Sequence, residues 1–200
     1  MLLTPSFGEL YKTQLVDEAE SLTVSDMTYL FTDLKDSTPL YESVGDVNAY
    51  FLVRQHFDIL NTIIRERAGT IVKTIGDAVM AGFEHPQDAV RAAIEMIEEL
   101  SKFNQTASRP LGLKVGVHRG RAIAVRLNDR IDYFGQDVNI AARVQGLADV
   151  NEVCITETVM EAPGVHEIVA NRVVSREYEN LKGIGQKMEI HRLAISQMQD

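Results

Sequence analysis

Hydrophobic and polar positions along the chain change period several times, and each change marks an element. Residues 27–34, MTYLFTDL, concentrate apolar and aromatic side chains in a short run and read as a strand. The Ser37-Thr38-Pro39 cluster then supplies helix-start chemistry. Tyr50, Val53, Phe57, Leu60 and Ile64 recur at steps of three and four, one apolar face of a helix that ends near Gly69. Two short apolar segments, 69–75 and 78–83, flank Gly76-Asp77, which is hairpin punctuation. After Pro86 a second amphipathic helix is predicted to bury Ala89, Ala93, Met96, Leu100 and Phe103. Residues 111–118 and 122–127 read as strands, the second ending at an Asn128-Asp129 turn. Residues 137–147 read as a helix, and 153–156, 173–179 and 187–193 as strands.

The order strand, helix, hairpin, helix, strand predicts an α+β fold with a ferredoxin-like βαββαβ core and additional C-terminal strands. Strict βαβ alternation is missing, which argues against a doubly wound sheet. Residues 1–25 are polar and weakly patterned and read as an N-terminal arm or linker. Residues 26–195 form the folded domain, and 196–200 a tail.

Composition narrows the classes of partner. Apolar residues make up 45% of the 200, enough for a packed core. The net charge of −9 argues against nucleic acid or an anionic membrane, since phosphate backbones need clustered Lys and Arg. It leaves a nucleotide open, because a divalent metal supplies positive charge locally. The single cysteine, Cys154, lies between apolar neighbours and reads as a buried strand thiol in a reducing compartment. No secretory leader and no membrane-length apolar run is visible, so the chain reads as cytoplasmic.

Several catalytic motifs are missing: no GxxxxGK[ST], no GxGxxG after a strand and no GxSxG. His166-Glu167 begins like a zinc-protease helix, but Ala170 stands where the second His belongs. What remains is carboxylates at strand ends and turns. Asp33 closes the first strand and Asp77 occupies the hairpin turn, where Asp is also an ordinary turn former. In a ferredoxin-like core the first strand and the hairpin are neighbours. Two converging carboxylates with few other ligands suit Mg²⁺, which keeps waters and substrate phosphates in its other positions.

FTDLKDST, KTIGDAVMAGF, LKVGVHRG, DYFGQDVNIAARVQ and LKGIGQKMEIHRL, in that order and spacing, resemble the signature blocks of class III adenylate and guanylate cyclase catalytic domains. The resemblance spans roughly residues 26–193. It implies that Asp33 and Asp77 hold two divalent ions, Mg²⁺ or Mn²⁺, at the triphosphate of ATP, assisting attack of the ribose 3′-hydroxyl on the α-phosphorus. It implies a phosphate cradle at Ser37 and Thr38, ribose orientation by Asn139 and transition-state stabilisation by Arg143. Lys73 and Asp132 match the purine-reading pair. Lys donates to adenine N1 and Asp accepts from its N6 amine, whereas guanine presents the reverse pattern, so ATP is favoured over GTP. Lys182 and Lys114 match basic residues near the triphosphate. One position departs: Asp36 stands where the family usually has glycine, placing a carboxylate in the phosphate loop. The five histidines, at 56, 85, 118, 166 and 191, lack catalytic partners nearby in sequence and read as structural.

The resemblance further implies a head-to-tail homodimer. Asp33 and Asp77 of one copy would meet Lys73, Asp132, Asn139, Arg143 and Lys182 of the other. The lead-in arm suggests an upstream regulatory or sensor domain. The competing readings are a guanylate or relaxed-specificity cyclase, a non-catalytic nucleotide-sensing module, and a diguanylate cyclase, which the missing GGDEF-type turn disfavours.

Overall fold

A computed structural model of the chain describes residues 23–35, 37–127, 130–185 and 187–195. The tail, Asp36, the Asn128-Asp129 turn and all but the last three residues of the N-terminal arm lie outside them. In chain order the elements are β1 (Thr23–Lys35), α1 (Ser37–Val44), α2 (Asp46–Glu66), β2 (Thr70–Ile75), β3 (Ala78–Phe83), α3 (Pro86–Asn104) and β4 (Gly112–Leu127). They continue with β5 (Arg130–Phe134), α4 (Gln136–Leu147), β6 (Glu152–Thr156), α5 (Glu157–Met160), α6 (Val165–Val169), β7 (Val174–Asn180) and β8 (Lys187–Ala194).

One eight-stranded sheet runs in the order β2-β3-β1-β4-β6-β8-β7, with β5 paired to β4 beside that path. Its first four strands, with α2 and α3, are the expected βαββαβ core, and the later strands extend one edge. β4 pairs in parallel with β6, while the other pairings are antiparallel.

Alternation along β1 sorts the two faces of the sheet. Leu30 and Leu34 join the large core with α2 and α3, including Leu60, Ile64, Val90, Ile97 and Leu100. Tyr29 and Phe31 face the other way, packing with Val138 and Ala141 of α4. A third cluster, with Ile140, Val144, Cys154 and Ile190, covers the far flank of that helix. Burial pushes the Cys154 thiol up to about 12, with Glu152 adding to the effect, so it stays protonated and inert.

Several details differ from the sequence expectations. β1 begins at Thr23 and not at residue 27, because β4 continues alongside it and pairs as far as Thr23↔Ala124. For the same reason 111–118 and 122–127 belong to one continuous strand across Arg119-Gly120-Arg121. The helical stretch after Ser37 breaks at Gly45, whose φ of 77° lies in the left-handed region. Beyond that break the buried stripe of α2 is Ala49, Leu52, Val53, His56, Leu60, Ile63 and Ile64. Tyr50 is 57% exposed, and a buried histidine sits on the core-facing stripe. A histidine carries no apolar signal, so periodicity alone rotated the predicted face.

Candidate active site

The tight turn between β2 and β3 needs a residue at positive φ, and Gly76, at 64°, supplies it. The next residue, Asp77, is thereby presented at the hairpin tip. Since β3 pairs with β1, that tip lies beside the C-terminal end of β1, where Asp33 shares the face of Tyr29 and Phe31. The two carboxylates converge. Burial, and next the charge of Asp77, push the Asp33 carboxyl above the usual range. Lys114, its register partner on β4, together with the Gln145 amide and Lys35, pulls the other way without reversing the shift. Asp77 Oδ2 is buried and takes no hydrogen bond among the described residues. Two crowded carboxylates, one with an orphaned oxygen, make a corner whose chemistry fits a divalent cation.

Lys73 belongs to the same hairpin but meets a different partner. Its Nζ lies 2.9 and 2.8 Å from the two carboxylate oxygens of Asp132 on β5, 59 residues away in sequence. The Asp132 carboxylate also accepts from the backbone N–H of Tyr133 at 2.8 Å, and the Lys73 ammonium lies 5.8 Å from the centre of the Phe134 ring. Lys73 and Asp132 are thus joined at the sheet edge, with exposed Ile75, Ile131 and Phe134 flanking them.

The third group sits on α4. Asn139 is exposed and Arg143 half-buried one turn later, on the same face. The Arg143 guanidinium packs on Gly183, where an added Cβ would lie 3.5 Å from Nη2, beside Lys182 in the turn after β7. Arg143 makes no ion pair among the described residues, so its charge stays available to a ligand. Ser37 opens α1, followed by Thr38.

These side chains therefore form three groups: Asp33, Asp77 and Lys114; Lys73 and Asp132; Arg143 and the Lys182-Gly183 turn, with Asn139 one turn away on the same helix. No hydrogen bond or ion pair joins one group to another among the described residues. Gln145 faces Asp33, while Arg143, two residues earlier, lies about 200° around the helix from it. Sequence reasoning missed Gln145 and Phe134, although both lie inside the DYFGQDVNIAARVQ block. His56, read as structural, is buried close enough for the Asp77 charge to act on it.

A different trio, Glu157, Glu189 and His191, brings its donor atoms within 4.8 Å of one another on the far part of the sheet. Arg176 already neutralises Glu189 at 2.8 Å, which makes the trio an ion-pair cluster between β7, β8 and α5. No helix among the described residues is long and apolar enough to cross a membrane.

The profile of the adenylate and guanylate cyclase catalytic domain matches residues 19–194. An adenylate cyclase of Anabaena cylindrica is 30% identical over 181 residues, covering 82% of this chain, which spans only 36% of that relative's length. Among solved structures, the guanylyl cyclase Cya2 superposes with a TM-score of 0.78 at 19% identity, covering 90% of this chain and 97% of that one. The adenylyl cyclase CyaB from P. aeruginosa gives 0.72 at 21% identity, covering 89% and 98%. Sheet order, helix placement and these likenesses agree, and the chain belongs to the class III adenylate and guanylate cyclase catalytic-domain family.

Proposed function

We propose that the chain is an adenylate cyclase domain converting ATP to 3′,5′-cyclic AMP and pyrophosphate at two equivalent sites shared by a head-to-tail homodimer. The observation that carries the choice of ATP is the Lys73–Asp132 contact, a donor and an acceptor held side by side. Adenine presents the complementary edge, an acceptor at N1 next to the N6 amine. The pair is partly solvated, Lys73 being 38% and Asp132 21% exposed. Such ion pairs contribute roughly 0–1 kcal/mol, so opening one to admit a base costs little.

The Asp33–Asp77 corner fits two divalent ions, Mg²⁺ or Mn²⁺, with waters and phosphate oxygens completing their shells. When bound, these ions supply Lewis acidity to the triphosphate and lower the pKa of the 3′-hydroxyl. The amides at the start of α1, at Ser37 and Thr38, face phosphate. Lys114 and Lys182 offset the charge of the β- and γ-phosphates. Asn139 orients the ribose and Arg143 meets the charge that builds on the α-phosphate. The bond from O3′ to the α-phosphorus forms and the bond to the bridging α,β-oxygen breaks. Pyrophosphate leaves and the hydroxyl proton passes to solvent.

The division of α4 supports a shared site. Arg143 and Gln145 point to different sides of one helix, so the carboxylate corner and the Asn139–Arg143 face of a single copy do not close on one substrate. A second copy brings the missing half, and the exposed Ile75, Ile131 and Phe134 offer apolar surface beside the base-reading pair. Product analysis with ATP or GTP and Mg²⁺ or Mn²⁺ tests the reading. Cyclic AMP formed in preference to cyclic GMP is expected. Dimeric protein that makes no cyclic AMP with either metal overturns it, and cyclic GMP as the main product moves the assignment to a guanylate cyclase.

A further inference from the structure

The face of β4 that carries α4 is built as a seat. Its residues on that side are Gly116, His118, Gly120 and Ala122. A Cβ on Gly116 would fall 2.1 Å from the backbone nitrogen of Gln145, and one on Gly120 would fall 2.2 Å from Cγ of Asp137. The helix therefore touches the strand at two points eight residues apart, about 12 Å along its axis. Between them stands His118, 3% exposed.

His118 Nε2 lies 3.1 Å from Asp137 Oδ1, and the other carboxylate oxygen accepts the Arg121 backbone N–H at 2.8 Å. His118 Nδ1 is 2.9 Å from the Thr156 hydroxyl on β6, which is itself 2.9 Å from the Thr158 hydroxyl. A carboxylate only accepts, so Nε2 carries the proton that points at Asp137. Nδ1 then accepts from Thr156. Burial lowers the His118 pKa against the opposing effect of Asp137, which favours this neutral tautomer.

An Asp in the first turn of a helix ordinarily complements the helix dipole or caps the helix's own amides. Here the N-cap is Gly135, with no side-chain cap, and Asp137 spends its acceptors on the strand below. That arrangement fixes where α4 starts, and a rigid helix carries the placement on to Asn139 and Arg143, two and six residues further.

We infer that His118 is a positioning residue: through Asp137 it pins the first turn of α4 onto β4 and thereby sets the location of Asn139 and Arg143 at the reacting phosphate. The inference rests on the cyclase reading for the roles of those two residues. The Gly116 and Gly120 notches set how close the helix lies, and the His118–Asp137 contact sets its position along and around the strand.

The test compares wild type, His118→Phe and His118→Gln in full-length protein, each checked for dimerisation and cooperative unfolding. His118→Phe fills the volume without a donor, and kcat is expected to fall about 10- to 100-fold with KM for ATP within twofold, as for a misplaced catalytic group. His118→Gln restores an N–H near the Nε2 position and brings kcat back within about threefold of wild type. In His118→Phe, amide hydrogen exchange across residues 137–143 rises about tenfold while β4 and β6 stay protected. An unchanged kcat in folded His118→Phe, a matching rise in KM, or no recovery with Gln overturns the inference. Wild type without cyclase turnover refutes the proposed function, and the exchange measurement then decides alone whether His118 anchors the helix.

Discussion

One hairpin carries two kinds of charged contact, and they behave as opposites. Asp77 at its tip faces Asp33, a pair of like charges in which burial raises one carboxyl and an oxygen of the other is left without a hydrogen bond. Lys73, four residues earlier, is already neutralised by Asp132 at 2.8 Å. The first contact is unfavourable by itself, and a bound cation would relieve it. The second is satisfied without any ligand and weak enough to be opened. On the proposed reading, which puts metal and phosphate at the first contact and the base at the second, the asymmetry means strong demand at the phosphate end and easy exchange at the base end.

Removing the demand is expected to give the largest effect. Asp77→Asn should lower kcat by on the order of 1,000-fold, because on the proposed reading it removes a carboxylate that holds metal at the triphosphate. The same change relieves the repulsion felt by Asp33, so the chelator-treated variant should unfold at the same or a higher temperature than wild type, and should lack the upward shift expected of wild type with Mn²⁺. A variant that is metal-stabilised as before removes Asp77 from the metal corner. Mixing Asp77→Ala with Arg143→Ala sharpens the point. If sites are shared, heterodimers regain one intact site of two, and random pairing returns about a quarter of wild-type activity. No rescue, with exchange of subunits demonstrated, would count against a shared site.

At the base end the effect should be smaller and of another kind. Lys73→Glu with Asp132→Cys removes the adenine-complementary pattern, and kcat/KM for ATP should fall on the order of 100-fold with a gain toward GTP. Stability should change by less than about 1 kcal/mol, since the pair removed is partly solvated. Comparing ATP and GTP turnover alongside urea unfolding separates the two outcomes. A loss of stability as large as the loss of ATP selectivity would make the pair structural.

Much of this was legible in the sequence, for reasons that differ by residue. The hairpin was readable because Gly76-Asp77 announces a turn by backbone chemistry, and turns act locally. The faces of α3 were readable because its buried positions repeat at helical spacing. The meeting of Lys73 with Asp132 depends on β5 folding back along β4, a pairing no local pattern encodes, and only the family resemblance paired them. The unbroken course of β4 was hidden because Arg119-Gly120-Arg121 looks like a break when its partner strand is unknown. His118 was dismissed for want of a partner in sequence, and its partner is 19 residues away on the helix above. Buried polar contacts of this sort carry no periodicity, so they surface only once the elements are assembled.

His56 shows the same limit at the carboxylate corner and supplies the mildest test of the comparison. It is buried on α2, its ring nitrogens lack well-formed hydrogen bonds, and burial lowers it to about 4 against the raising effects of Asp77 and the Val53 backbone. A folded-state pKa below the ordinary 6.5 means that the unfolded chain takes up the proton first as pH falls. The group therefore costs nothing above pH 6.5, and stability drains away between there and about pH 4, where the folded form also protonates. In chelator-treated protein the loss attributable to His56 between pH 7 and pH 5 should be roughly 2 kcal/mol. His56→Leu, read by urea unfolding at both values, should flatten that part of the profile and leave the Lys73–Asp132 contact untouched. A slope as steep as that of wild type would assign the acid sensitivity to other groups. A flattened slope would show that burial keeps the core beside the hairpin tip neutral, so that His56 supplies no positive charge to offset Asp33 and Asp77 at neutral pH.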